Sequence, residues 1–237
     1  YLEVMELSYF GAKVLHPRSI EPAMQKDIPI RVKNSFRPDV PGTIIRRDRH
    51  LEKRVVKAIA LIEKVALVNV NGAQMIGRPG VAKKIFEALA EREVNIMMIS
   101  QGSSEANISL IIDESHLDAA LAALNPIVKQ GIVREVTHDR DVAALAVVGA
   151  GMAGSPGTGG RIFSALGRAG INVMMISQGS SEVNVSFVVK ARDGKRALRV
   201  LHDEFRLSEN SDETEDAAVS SPHAREGGFG RAGTYLP

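Results

Sequence analysis

Three sets of residues in this 237-residue chain have the types and spacing to do chemistry. The first is LAVVGAGMAG at 145–154, an apolar run followed by Gly149, Gly151 and Gly154. This G-x-G-x-x-G spacing lets a backbone approach a pyrophosphate at a helix N-terminus, the chemistry of an NAD-binding oxidoreductase. Three features oppose it. Ser155-Pro156-Gly157 puts a proline where that helix should already be running, and predicts instead a helix with Ser155 as N-cap and Pro156 at its first position. The next strand ends in Ser177 and Gln178, with no acid for a ribose, and the matching loop NGAQMIGRPG at 71–80 lacks the second glycine. The second set is Ser103, Ser104 and Glu105 with their copies Ser180, Ser181 and Glu182, a hydroxyl beside an acid. No histidine recurs in register with them, so a Ser/His/Asp site is unsupported and hairpin-turn chemistry is the simpler reading.

The third set suits a zwitterion. Gly77, Pro79 and Gly80, and again Gly154, Pro156 and Gly157, stand where a helix starts. Free N–H groups and the positive end of the helix dipole favour a carboxylate there, although a tight turn needs the same residues. Asn95, Gln101, Asn172 and Gln178 flank apolar runs and offer both donors and acceptors. Met97, Met98, Met174 and Met175 lie inside those runs and read as core filling.

These residues recur because the chain is duplicated. NIMMISQGSSEANISL at 95–110 and NVMMISQGSSEVNVSF at 172–187, offset by 77, agree at 12 of 16 positions. Each copy reads as an apolar strand, a polar turn and an alternating strand, a hairpin. Around the first hairpin the pattern predicts strand 65–70, glycine loop, helix 81–92, hairpin 94–112, helix 116–124 and strand 132–137, the ferredoxin-like βαββαβ order. The second copy has strand 142–148, glycine loop, helix 158–169, hairpin 171–189 and helix 194–205, and no last strand. An orphan strand at 55–62 precedes the first copy, and it is expected to complete the second sheet, so that the first unit is inserted in the second.

The flanks are different in kind. Residues 1–50 read as a helix over 1–15, a short helix over 18–24 and strands at 28–32 and 43–45, too little to fold alone and expected to be the end of a larger α/β domain. Residues 51–62 are the connection and the orphan strand, 63–138 the first unit, 139–206 the second. Arg46, Arg47, Arg49, Lys53, Arg54 and Lys57 face only Asp48 and Glu52, which marks a solvated connection or a phosphate-binding patch. The tail at 207–237 opens on an acidic run and is too polar to order itself. The chain starts inside a helix without an initiator methionine and reads as a fragment.

Bulk composition excludes several classes. A net charge of +2 and 4% aromatic residues give no footprint for nucleic acid. No apolar run approaches the roughly 18–20 residues of a membrane span. With no cysteine there is no disulfide, thiol nucleophile or thiolate metal site, which fits a reducing cytoplasm.

The duplicated QGSSE hairpins, together with ELSYFGAKVLHPRSIEPAMQKDIPIRVKNSF and GTII near the start, resemble aspartate kinase: the end of its amino-acid-kinase domain followed by paired ACT domains. The resemblance covers most of residues 1–206. It implies a parent enzyme that uses ATP and Mg to phosphorylate the β-carboxylate of L-aspartate, first step towards lysine, threonine and methionine. It implies for this chain the feedback module, with no cofactor, metal site or catalytic residue of its own, since the family's Lys-Phe-Gly-Gly-Thr phosphate stretch is absent from these residues. The implied partners are threonine or lysine as effector and further copies of the chain, effectors sitting between ACT units of neighbouring chains. By motif the effector-binding residues are Met75, Gly77, Pro79, Asn95 and Gln101, with Met152, Pro156, Asn172 and Gln178 in the second copy. A free-standing ACT regulatory subunit of a separate kinase chain is the alternative.

Overall fold

A computed structural model describes residues 1–10, 15–47, 54–103 and 105–209. Arg49, Lys53, Ser104, residues 11–14 of the first expected helix and the tail from 210 onward lie outside the described residues. The N-terminal part comprises helices α1 (Leu2–Tyr9) and α2 (Pro17–Gln25) and a two-stranded antiparallel sheet of β1 (Ile30–Val32) and β2 (Thr43–Ile45). Tyr1, Ile20 and Ile45 form its small core, and the Tyr1 hydroxyl donates to the Ile28 carbonyl at 2.6 Å.

The rest is built on β3 (Ala58–Asn71), α3 (Val81–Ala90), β4 (Ile96–Gln101), β5 (Asn107–Asp113), α4 (Leu117–Lys129), β6 (Glu135–Val148), α5 (Thr158–Arg168), β7 (Met175–Gln178), β8 (Asn184–Lys190) and α6 (Gly194–Glu204). The six strands form one antiparallel sheet in the order β4-β5-β3-β6-β8-β7. β3 and β6 each serve both repeats. Residues 65–71 of β3 pair with β5, while residues 58–62 pair with 144–148 of β6, which in turn pair with β8. The orphan strand therefore completes the second unit, and the first unit is inserted in the second.

The sequence predicts two breaks, at Glu63-Lys64 and around Asp139–Asp141, where the structure has continuous strands. The polar residues there occupy a β-bulge, with register shifts between Ile62 and Val65 and between Val65 and Leu67. A bulge inserts one residue and so reverses which parity faces the core. Before it Ile59 and Leu61 lie under α5 and α6; after it Ala66, Val68 and Val70 lie under α3 and α4. The extra residue keeps all four helices on one face.

Each helix presents residues three and four apart to that face: Val81, Ile85 and Leu89 of α3, Ile162, Ala165 and Leu166 of α5, Ala197 and Leu201 of α6. The opposite face is a third apolar cluster drawn from both units, including Val65, Met98, Ala144 and Met175. Phe10 and Leu7 of α1 pack onto it. The outer strands β4 and β7 approach each other, the Ser177 hydroxyl donating to the Ile99 carbonyl at 3.0 Å.

Candidate functional site

The two glycine loops have the same backbone. Gly72 and Gly149 each accept a turn hydrogen bond, from the N–H of Met75 at 2.9 Å and of Met152 at 3.0 Å. Gly80 and Gly157, with φ of 87° and 88°, then turn the chain into α3 and α5. These glycines occupy the left-handed region that a side chain disfavours. The second helix thus starts at Thr158 with Gly157 as N-cap. Ser155 is not the cap: its hydroxyl donates to the Gly151 carbonyl at 2.6 Å, because the intervening left-handed residue turns the serine back over its own loop.

The G-x-G of the second loop has a structural cause. A Cβ on Gly149 would lie 2.2 Å from the Val55 carbonyl oxygen, and one on Gly151 2.8 Å from that of Arg54. The segment leading into β3 crosses directly over both glycines, where a dinucleotide's pyrophosphate would have to sit. The first loop carries Ala73-Gln74 in place of Ala150-Gly151.

Each loop forms one wall of a cavity beside the hairpin of its own unit. The first, about 350 Å³, is lined by Met75, Gly77, Arg78, Pro79, Gln101 and Glu105. The second, about 310 Å³, is lined by Met152, Gly154, Ser155, Pro156, Gln178 and Glu182. Met75 and Met152 are buried and form the floors. The structure thus brings together the glycine-loop residues and the glutamines chosen from the sequence. Asn95 and Asn172 are exposed and line neither cavity. Six residues of extended chain separate each from its glutamine, about 20 Å.

Glu105 and Glu182 are the site residues that the sequence reading missed. The Gly77 N–H donates to Glu105 Oε2 at 3.0 Å, and the Gly154 N–H to Glu182 Oε2 at 2.8 Å. Both glutamates adopt positive φ, 57° and 54°, a conformation that costs a non-glycine residue about 1 kcal/mol. Reading Ser-Ser-Glu as turn chemistry explains the turn and not the acid. The available signal was the glutamate's retention in both copies beside exchanging Ala106 and Val183. Each carboxylate ties the hairpin turn to the glycine loop and lines the cavity between them.

The second loop also has a partner outside its unit. The Ala150 N–H donates to Glu3 Oε1 of α1 at 2.7 Å, and Glu3 Oε2 lies 3.3 Å from Lys57 Nζ. Further along α1, Glu6 accepts from the Asn184 amide, and the Tyr9 hydroxyl donates to the Ile96 carbonyl at 3.2 Å. One short helix therefore touches a cavity loop and both hairpins. The carboxyls held below their ordinary range are Asp139, by its hydrogen bond from Lys190, and Asp113, by hydrogen bonds from Ser115. Neither lines a cavity. Among the described residues no group of acids and histidines could hold a metal, and no helix is long and apolar enough to cross a membrane.

The ACT domain model matches residues 68–126 and 145–205, the two units just described. The chain belongs to the ACT-domain family. The bifunctional aspartokinase/homoserine dehydrogenase 1 of Arabidopsis thaliana is 43% identical over 217 residues, 88% of this chain and 24% of that protein. The ACT pair and its N-terminal flank thus span about a quarter of the length of that relative. Among solved structures, the aspartate kinase of Clostridium acetobutylicum superposes with a TM-score of 0.79 at 33% identity, over 86% of this chain and 48% of that one. The ligand-free regulatory subunit of aspartate kinase from Thermus thermophilus superposes at 0.58 and 31%, over 64% of this chain and 99% of that one. E. coli aspartokinase III in complex with lysine and aspartate superposes at 0.70 and 27%, over 86% of this chain and 44% of that one. The dinucleotide alternative at Gly149 and Gly151 is not favoured: the glycines belong to an ACT loop packed under the segment that leads into β3.

Proposed function

We propose that the two cavities bind an end-product amino acid of the aspartate family, threonine or lysine, and that occupancy inhibits an aspartate kinase joined to this region. One observation carries the reading: the same carboxylate, amide and helix N-terminus converge twice on a cavity with a buried methionine floor. Glu105 or Glu182 takes the ammonium, the first N–H groups of α3 or α5 take the carboxylate, and Gln101 or Gln178 reads the remaining polar group. Met75, Gly77, Pro79, Met152 and Pro156 shape the walls.

Asn95 and Asn172 cannot reach a ligand in their own unit's cavity, being about 20 Å from the glutamines. They fit an arrangement in which a second copy presents its strand end to the cavity, so the binding unit is an oligomer of this chain. The parent enzyme uses ATP and Mg in cytoplasmic amino-acid synthesis, in segments outside these residues. Coupling needs a ligand that binds one arrangement of the units better than another. Helix α1 is the physical link, since Glu3 holds the loop of the second cavity.

Thermal unfolding of the purified chain with each aspartate-family amino acid tests this. A ligand at 100 times its Kd adds about 2.7 kcal/mol, an upward shift in Tm of several degrees. No shift with threonine, lysine or methionine sinks the effector reading. The near-complete match to a separate regulatory subunit favours, as a second reading, a free-standing subunit docking on another kinase chain. An in-frame kinase-coding sequence directly upstream excludes it.

A further inference from the structure

The two cavities share a backbone but not a charge. At the position beside the proline, the first has Arg78 and the second Ser155. In the second, the hydroxyls near the mouth are consumed within the loop: Ser155 Oγ donates to Gly151, and Thr158 Oγ1 donates to the Ser155 carbonyl at 3.2 Å. Glu182 is then the one ionised side chain in its lining. In the first cavity, Arg78 of the glycine loop lines the same space as Glu105 of the hairpin, and among the described residues no acid pairs with its guanidinium. The first lining holds a cation and an anion; the second holds an anion alone.

We propose that Arg78 and Ser155 set which class of amino acid each cavity accepts. The first takes a net-neutral amino acid, its carboxylate shared between the first N–H groups of α3 and Arg78 and its ammonium on Glu105. The second takes a cationic amino acid, whose additional positive charge meets the Glu182 carboxylate and no opposing cation. This assignment rests on the reading of the cavities as effector sites and adds selectivity to it. Two cations about 6 Å apart in partly solvated surroundings repel enough to weaken binding on the order of tenfold. The discrimination should shrink as salt is raised, because the groups involved are exposed.

The test is calorimetric titration of the full chain with L-lysine and with L-threonine, each site identified by the backbone amide signals of Gly77 and Gly154. In the unmodified chain, lysine should perturb Gly154 at lower concentration than Gly77, and threonine the reverse. Arg78→Ser should tighten lysine at the first cavity roughly tenfold, and Ser155→Arg should weaken it at the second by a similar factor. A change of threefold or more in these directions supports the assignment. Smaller changes, while the amino acids still bind, overturn it and leave the effector reading intact. Absence of any binding to the unmodified chain overturns both. Should Ser155→Arg fail to fold, Arg78→Ser alone decides, since that side chain is exposed.

Discussion

At the scale of single residues, glycines of one motif do different work, and substitution separates them. Gly149→Ala must displace backbone at Val55 and Val56, so a loss of about 3 kcal/mol is expected. Gly167, inside α5 with open space around it, should gain about 0.5–1 kcal/mol as alanine. Urea denaturation of both variants measures the contrast; equal effects would show that the close crossing over Gly149 is not what demands glycine there. Residue roles were legible where duplication exposed them: the glycine loops, Gln101 and Gln178 recur, and they do line cavities. The glutamates were not, because Glu105 acts on Gly77 and Glu182 on Gly154, each 28 residues back, and a reading of the turn alone has no access to that distance. Nor could spacing show that the N-cap serine is turned away from its helix.

Among the elements, α1 breaks the symmetry of the repeats. In the first unit the Asn107 amide is satisfied by Asn71, and Ser109 by Asn69 and Asn107. The second unit has Val148 and Ala146 at the matching positions, and Glu6 of α1 partners Asn184 instead. A helix thus supplies what Asn71 supplies in the other copy. Glu6→Ala should cost about 1–2 kcal/mol by leaving a half-buried amide without its partner. Val148→Asn, which restores the first unit's solution, should be tolerated better in that background than in the unmodified chain. A double-mutant cycle by chemical denaturation reads the coupling, and strict additivity would refute the substitution of one device for the other. The elements themselves were legible from period and turn residues, and the missing last strand gave away the strand exchange. The continuity of β3 and β6 was hidden, because Glu63, Lys64, Asp139 and Asp141 look like breakers in sequence, whereas in the fold they sit at or beside a bulge and Lys190 pairs with both aspartates.

For the whole molecule, shared strands mean shared stability. A chain of residues 54–209 retains every strand of the six-stranded sheet and should unfold in one cooperative transition. A chain of 64–209 loses the strand that pairs with residues 144–148 of β6, and its second unit should not hold native structure, seen as lost protection of β8 amides in hydrogen exchange. Two separate transitions in the longer chain would contradict the interlocking. There is a geometric corollary in the contact between the Arg54 guanidinium and the Glu209 carbonyl, the first and last described residues of that block. Residues 54 and 209 touch, so the elements between them form a closed ring. Joining 209 to 54 and reopening the ring at the turn after α4 would preserve all the strand pairings. In topology the two repeats differ in where the ring is cut: the natural opening leaves the first unit contiguous and makes the second a circular permutant of it.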